Sequence, residues 1–384
     1  MQKTYPEIYK QDSGGKIRVW YMEQDGDKFR TFDGQVGGKI KASGWRVAKP
    51  TNVGRSNERT GVVQATFTIE AKYEKQLKTE YHETVEDTAK GPHYFMPMLA
   101  EKYEEFTSGD AQPKLDGFRC INEDDGAWSR EGEPLAGAAH IVEALREVMA
   151  RKPDLVFDGE LYNHELRHDF GKLSGLIKRG WKKPEDEALA REKIQYHVYD
   201  LPSIKAPFRE RSAILKKLVA AINNPSIIYV ETVGVDSAWF YDECHDRWLA
   251  DGYEGSMLRN SDSEYQTGKR TKDLLKRKEF DDAEFDIIPG GIQEGEGNWD
   301  GCAKRVVCWL PDADRTIDLN DKKAREANTF EAGIDGDKDQ NRKLLAEADQ
   351  HEVVTIRHFG WTSSEIPKPR FGVAKQFHGS GRTL

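Results

Sequence analysis

Lys114 stands two residues ahead of an Asp-Gly pair and five ahead of an arginine, in Gln112-Pro113-Lys114-Leu115-Asp116-Gly117-Phe118-Arg119. An amine in such a place suits nucleophilic attack on a phosphate. The Asp-Gly pair supplies a tight turn, and Arg119 offers a forked donor for an anion. An extended backbone entering the turn places Lys114 and Asp116 on one face. The amine must be neutral to attack, so the site has to lower its pKa by desolvation or by neighbouring positive charge. Taken alone, such an octamer is more commonly a solvated loop lysine before a glycine turn, and the rest of the chain has to decide.

Five further stretches carry matching chemistry. Trp128-Ser129-Arg130-Glu131-Gly132 sets Arg130 in a turn as a phosphate fork. Phe157 to Tyr162 reads as a strand with Asp158 and Glu160 on one face; buried, such a pair needs a metal, ribose hydroxyls or a cation. Ile194 to Leu201 alternates as a strand and presents Tyr199, an aromatic face suited to stacking on a base. Asp251 to Arg259 offers a turn, then Glu254 as a hard oxygen ligand for Mg²⁺, then a strand. Leu274 to Phe280 puts Lys276 and Lys278 on one strand face, able to grip a phosphate and depress the pKa of a nearby amine. Each stretch also has a bland reading as solvated edge, core aromatic or common turn; their number and order set them apart.

The elements that must position these residues fall into three parts. Residues 1–90 predict a small unit of short antiparallel strands (Lys16 to Tyr21, Phe29 to Phe32), a turn at Asn52 to Arg55 and a helix over Glu58 to Thr84. Gly91, Pro92 and Pro97 mark a linker. Residues 94–281 mix strands with helices at Ala138 to Ala150, Arg209 to Asn223 and Asp236 to Ala250. Residues 282–384 read as strands at Glu284 to Gln293, Lys304 to Leu310 and Val353 to Phe359, with a helix from Asp339 to Ala348, the make-up of a small β-barrel.

At 384 residues the chain exceeds one ordinary core, in keeping with that division. It has 33% charged and 37% hydrophobic residues, and lacks both a long apolar run and a signal-peptide core, which predicts a soluble protein with no membrane association. Cys120, Cys244, Cys302 and Cys308 form no Cys-x2-Cys pair, so neither a zinc site nor a disulfide frame is indicated. A net charge of -9 weighs against indiscriminate nucleic-acid binding. Local clusters run the other way: six Lys or Arg lie in Thr267 to Lys278, and four in Ile177 to Lys183.

The ordered series Lys-x-Asp-Gly-x-Arg, Ser-Arg-x-Gly, Asp-Gly-Glu-Leu, Tyr-Asp, Glu-Gly-x-Met-Leu-Arg and Leu-Lys-x-Lys resembles the covalent nucleotidyltransferase superfamily. Within it, the series is similar to ATP-dependent DNA ligases of the small phage and bacterial type. The resemblance covers about residues 94–384, and Pro369 to Val373 looks like the family's last strand. It implies an α+β fold: an adenylation domain of antiparallel sheets with flanking helices at 94–281, then an OB-fold β-barrel at 282–384. It implies that Lys114 forms a lysyl-AMP from ATP, which passes to the 5′-phosphate of nicked double-stranded DNA before the 3′-hydroxyl seals the strand. Gln112 and Pro113 would face adenine and Tyr199 would stack on it. Arg119 and Glu160 would hold the ribose region, and Arg130 a phosphate. Lys276 and Lys278 would act on the α-phosphate, and Glu254 would serve Mg²⁺ (or Mn²⁺), with Asp158 or Asp116 as helpers. A monomer in the cytoplasm of a bacterium or phage-infected host is expected, with DNA repair, replication or recombination as its setting.

The family's C-terminal Arg-x-Asp-Lys signature is not evident, leaving Arg370 and Lys375 as candidates for aiding pyrophosphate release. Gly54-Arg55 opening a helix resembles WGR-type modules loosely, because Val53 stands where tryptophan would; residues 1–90 suit either DNA contact or packing. An ATP-dependent RNA ligase, or another covalent nucleotidyltransferase, is the alternative, since spacing does not read sugar identity.

Overall fold

The computed structural model describes residues 2–12, 14–123, 126–178 and 183–379. The basic run expected at Ile177 to Lys183 therefore lies partly outside the described residues. The chain forms two compact units: one of residues 1–94, 283–356 and 372–384, the other of 95–282 and 357–371.

The first unit opens with β1 (Gln2–Thr4), β2 (Ile8–Gln11), β3 (Ile17–Asp25), β4 (Lys28–Gln35), β5 (Ile40–Ala42) and β6 (Arg46–Val47) in one sheet built on the antiparallel β3–β4 hairpin. Helix α1 (Gly61–Thr79) starts where Thr60 caps the amide of Val63, and buries Ala65 and Ile69 at a four-residue spacing. These two pack with Ile8, Trp20, Met22 and Phe29 into a core of their own.

The second unit holds two five-stranded sheets. The first comprises β7 (Leu99–Lys102), β8 (Gly109–Lys114), β14 (Val233–Val235), β15 (Gly255–Arg259) and β16 (Arg270–Lys278), in the order β14-β8-β15-β16-β7. The second comprises β9 (Phe118–Glu123), β10 (Gly126–Ser129), β11 (Phe157–Tyr162), β12 (Gln195–Asp200) and β13 (Ile227–Tyr229), in the order β10-β9-β11-β12-β13. Helices α2 (Ala139–Arg151), α3 (Phe170–Lys178), α4 (Pro184–Lys193) and α5 (Phe208–Ile222) accompany this second sheet. Ile141, Leu145 and Met149 of α2 recur every four residues and join Phe157, Leu161, Tyr196 and Val198 in the largest core. Helix α6 (Ala238–Ala250), capped by Ser237, buries Tyr241, Cys244, His245 and Trp248, an i, i+3, i+4, i+7 stripe behind the first sheet.

Back in the first unit, β17 (Asp281–Glu294), β18 (Ala303–Trp309), β19 (Thr329–Ile334), β20 (Val353–His358) and β21 (Val373–His378) close in the order β17-β18-β19-β21-β20. Helices α7 (Lys322–Asn328) and α8 (Lys338–Ala346) lie between β18 and β20 in the chain, α8 starting at a capping box on Asp337.

The fold class expected from sequence needs correction. The sheets of the second unit are mixed rather than antiparallel, and both stay open: β12 pairs β13 in parallel, as β16 pairs β7. The closed set of β17 to β21 is mixed too, with β19 parallel to β21. Alternation of side chains reports a strand but not its direction, whereas parallel pairing needs a crossover, which α5 supplies between β12 and β13. The last strand also begins later than expected. Pro369 forms a lone bridge to Trp361, Arg370 and Phe371 form a turn with Phe371 at φ +52°, and the strand starts at Val373. No helix among the described residues is long and apolar enough to cross a membrane.

Candidate active site

Strand β8 delivers Lys114 to the edge of a cleft of about 680 Å³ in the second unit. Gln112, Pro113, Lys114, Arg119, Arg130, Glu160, Tyr199, Lys276 and Lys278 all line it. The register explains the convergence: Gly255 of β15 lies between Lys114 on β8 and Lys278 on β16. Glu254, one residue earlier, donates its amide to the Lys114 carbonyl at 2.9 Å. Its carboxylate accepts from the Lys114 ammonium on one oxygen and from Lys278 on the other. Gly255 is required there: it sits at φ +146°, and a Cβ would stand 2.2 Å from the Arg277 carbonyl oxygen. Gly117 is equally constrained, since a Cβ would meet the Leu161 carbonyl at 2.4 Å. The Asp-Gly turn thus lets the chain entering β9 approach β11 closely.

β8 ends at Lys114, which lines the cleft, and Asp116 is not among the lining residues. Asp116 instead accepts two bonds from Arg370, at 2.8 and 3.2 Å. Arg370 is thereby drawn to the turn after Lys114, while Lys375 pairs with Asp335 at 3.0 Å in the other unit. Asp158 is wholly buried and takes Arg119 on both oxygens, at 2.9 and 2.5 Å, with the Tyr265 hydroxyl at 2.7 Å. Glu160 lies on the cleft wall with no hydrogen bond or ion pair among the described residues. Burial pushes its carboxyl up to about 7; Lys114 and Arg119 pull it down, and Glu254 and Asp158 add to the rise. Lys276 is held below the usual lysine range by burial first, then by Arg270, Lys278, Lys114 and Arg130. Arg130 is half exposed and 3.9 Å from Glu131, able to swing toward an anion.

The structure adds residues that the sequence reading left unassigned. Met257 and Arg259 alternate along β15 and both line the cleft, as does Arg270. Arg259 donates from Nε to Gln112 Oε1 at 2.8 Å and from a terminal nitrogen to Asp200 at 2.9 Å. Gln112 in turn donates to the Thr232 hydroxyl at 2.9 Å, so its amide is fixed from both ends. Asp200 also accepts Arg211 at 2.7 and 3.0 Å, and is fully buried. The signal for Arg259 was present in the period-2 pattern of β15; nothing local announces Asp200 with Arg211.

The cleft is walled by both sheets of the second unit and lined by Lys114, Arg119, Arg130, Arg259, Lys276 and Lys278 with the ring of Tyr199. Residues 97–278 match the family model of the ATP dependent DNA ligase domain. That match spans 182 of the 384 residues (97 to 278), a little under half of the chain, and is a likeness to that domain. A DNA ligase of the archaeon Nanoarchaeum equitans is 26% identical over 208 residues, covering 50% of this chain and 35% of its own length. A DNA ligase of African swine fever virus is 24% identical over 288 residues, covering 71% of this chain and 66% of that protein. The chain thus spans about a third of the archaeal relative's length. Among solved structures, a Lig E DNA ligase shares the fold at a TM-score of 0.57 and 22% identity, over 74% of this chain and 100% of that one.

Proposed function

We propose that the protein is an ATP-dependent DNA ligase, acting as a monomer, that seals 5′-phosphate/3′-hydroxyl nicks in duplex DNA. The relatives it matches are named DNA ligases. The observation that carries the reading is the Lys114–Glu254–Lys278 bridge at the cleft. One carboxylate holds two ammonium groups where a phosphate would take its place. In this reading Lys114 Nζ gives up a proton, with Glu254 in place as the nearest acceptor, and attacks the α-phosphate of ATP, releasing pyrophosphate. Lys276 and Lys278 stabilise charge on the transferring group, which is where most of the rate in such reactions arises. The AMP then passes to the 5′-phosphate of a nick, and the 3′-hydroxyl displaces it. Gln112, its amide fixed by Arg259 and Thr232, faces the base with Tyr199. Arg119, anchored by Asp158, and Glu160 face the sugar.

A magnesium ion fits on limited terms. Among the described residues no three potential ligands converge. Asp158 and Asp116 are committed to arginines. Glu254 and the unpartnered Glu160 remain, which suits an ion that draws its other ligands from phosphates and water. Such an ion would neutralise phosphate charge when bound.

Residues 1–90, a WGR-like module in this reading, contribute DNA contact. Lys39, Lys41, Arg46, Lys49, Arg55 and Arg59 fall within one stretch opposed only by Glu58, and none forms an ion pair among the described residues. Replacing Lys39, Lys41, Lys49 and Arg55 by glutamine is expected to weaken binding to nicked duplex and to flatten its salt dependence, by about 0.9 in log–log slope for each phosphate no longer neutralised. The function as a whole is tested by sealing assays on nicked DNA and nicked RNA with ATP or GTP. Sealing of DNA with ATP is expected; sealing confined to RNA, or to GTP, would favour the other nucleotidyltransferases.

A further inference from the structure

We propose that His245 is a positioning residue for the adenylation centre, tying helix α6 through Ser256 and Glu279 to the strands that present Glu254 and Lys278. It touches nothing in the cleft. His245 is fully buried on the inner stripe of α6. Its Nδ1 lies 2.8 Å from Ser256 Oγ and its Nε2 lies 3.1 Å from Glu279 Oε1, while the Tyr241 hydroxyl is 2.8 Å from the same Ser256 oxygen.

These contacts admit one proton arrangement. The Glu279 carboxylate accepts, so Nε2 carries the proton. Burial holds the ring below its ordinary pKa, with the Glu279 bond opposing, which keeps the imidazole neutral and makes Nδ1 an acceptor. The Ser256 hydroxyl therefore donates to Nδ1, and its lone pair receives the Tyr241 proton. Tyr241, Ser256, His245 and Glu279 form a directed chain with no group left unpaired.

The placement gives the chain its use. Ser256 is the second residue beyond Glu254, opposite Pro113 on β8 and Arg277 on β16, so each neighbour in register is one residue from Lys114 or Lys278. Glu279 directly follows Lys278. The network thus grips, from behind the cleft, the two strands whose ends carry the bridge to Lys114. A purely apolar stripe would fill α6 without the cost of burying an imidazole and two hydroxyls. The polar chain instead fixes the two strands and the helix in one relation.

The proposal rests on the adenylation reading for its activity readout only. His245→Asn keeps an acceptor near the Nδ1 position, whereas His245→Gln keeps a donor near Nε2 and loses that acceptor. In the full-length protein, His245→Gln is expected to slow single-turnover transfer of AMP to Lys114 by about tenfold, the worth of roughly one hydrogen bond, with little change in the KM for ATP. His245→Asn is expected to retain most of the rate. In the absence of ATP, hydrogen–deuterium exchange should quicken across 270–278 in His245→Asn, which loses the Glu279 tie, and across 255–259 in His245→Gln, which loses the Ser256 tie. Ser256→Ala, a smaller change, should quicken the 255–259 amides and serves if His245→Gln does not fold. Equal behaviour of the Asn and Gln variants, or unchanged exchange in both His245→Gln and Ser256→Ala, would overturn the proposal. If the wild-type protein takes up no AMP, the adenylation reading fails, while the exchange comparison still decides the role of His245.

Discussion

Two sets of ion pairs within the second unit use the same chemistry to opposite ends. Asp158 and Asp200 are fully buried, and arginines or hydroxyls occupy their oxygens: Arg119 and Tyr265 on the first, Arg211 and Arg259 on the second. Glu254 is nearly as buried, at 3% side-chain exposure, but its two partners, Lys114 and Lys278, are 20% and 23% exposed at the cleft. The aspartates are committed to architecture, holding β9, β11, β12 and β15 in place behind the lining residues. In the proposed function the glutamate pair is exchangeable: a phosphate entering the cleft would replace Glu254 as partner of either ammonium without unpairing a buried arginine. Commitment to bidentate arginine, against a shared carboxylate between two lysines, separates the groups that hold this site from those proposed to react in it.

The comparison breaks first at Asp200. Asp200→Ala strands two buried guanidiniums and is expected to cost about 3–5 kcal/mol of stability, measured by denaturant unfolding. A loss below about 1 kcal/mol would mean that the arginines find water, and that the pair is not architectural. Lys278→Ala should do the reverse. It is expected to leave unfolding nearly unchanged and to slow AMP transfer by about 10²–10³-fold, on the scale of losing one preorganised charge donor. A variant that unfolds as readily as the Asp200 one would erase the distinction.

The smallest effect sharpens the picture at Glu160. Its folded-state pKa, near 7, lies above the ordinary 4.5, so the folded protein binds more protons in that interval. The stability contributed by protonated Glu160 is therefore present at acid pH and lost as pH rises through about 7, at no more than about 1.4 kcal/mol per pH unit. Glu160→Gln should flatten the fall in stability between those two values, read from unfolding at a series of pH values. An unchanged slope would show that the carboxyl is already paired in solution.

Much of this site was legible because strands repeat every two residues. Glu160 on β11, Tyr199 on β12, and Lys276 with Lys278 on β16 line the cleft at positions the alternation assigns to them, whereas Asp158 lies behind it, past a register shift between Asp158 and Gly159. The partners were not legible. Asp116 meets Arg370 across 254 positions and Asp158 meets Arg119 across 39, so no local pattern shows that these carboxylates are already engaged. Strand direction was hidden for a related reason, since side-chain periodicity is the same in parallel and antiparallel pairs. Arg259 ends Glu-Gly-x-Met-Leu-Arg and alternates with Met257, and both line the cleft.

The account depends on Lys114 as the residue that accepts adenylate. Intact-mass measurement of the protein incubated with ATP and Mg²⁺ tests it most directly. A gain of one AMP is expected for the wild-type chain and no gain for Lys114→Ala, which should still bind nicked duplex. An AMP adduct on the Lys114→Ala protein, or a wild-type chain that gains nothing, would contradict it.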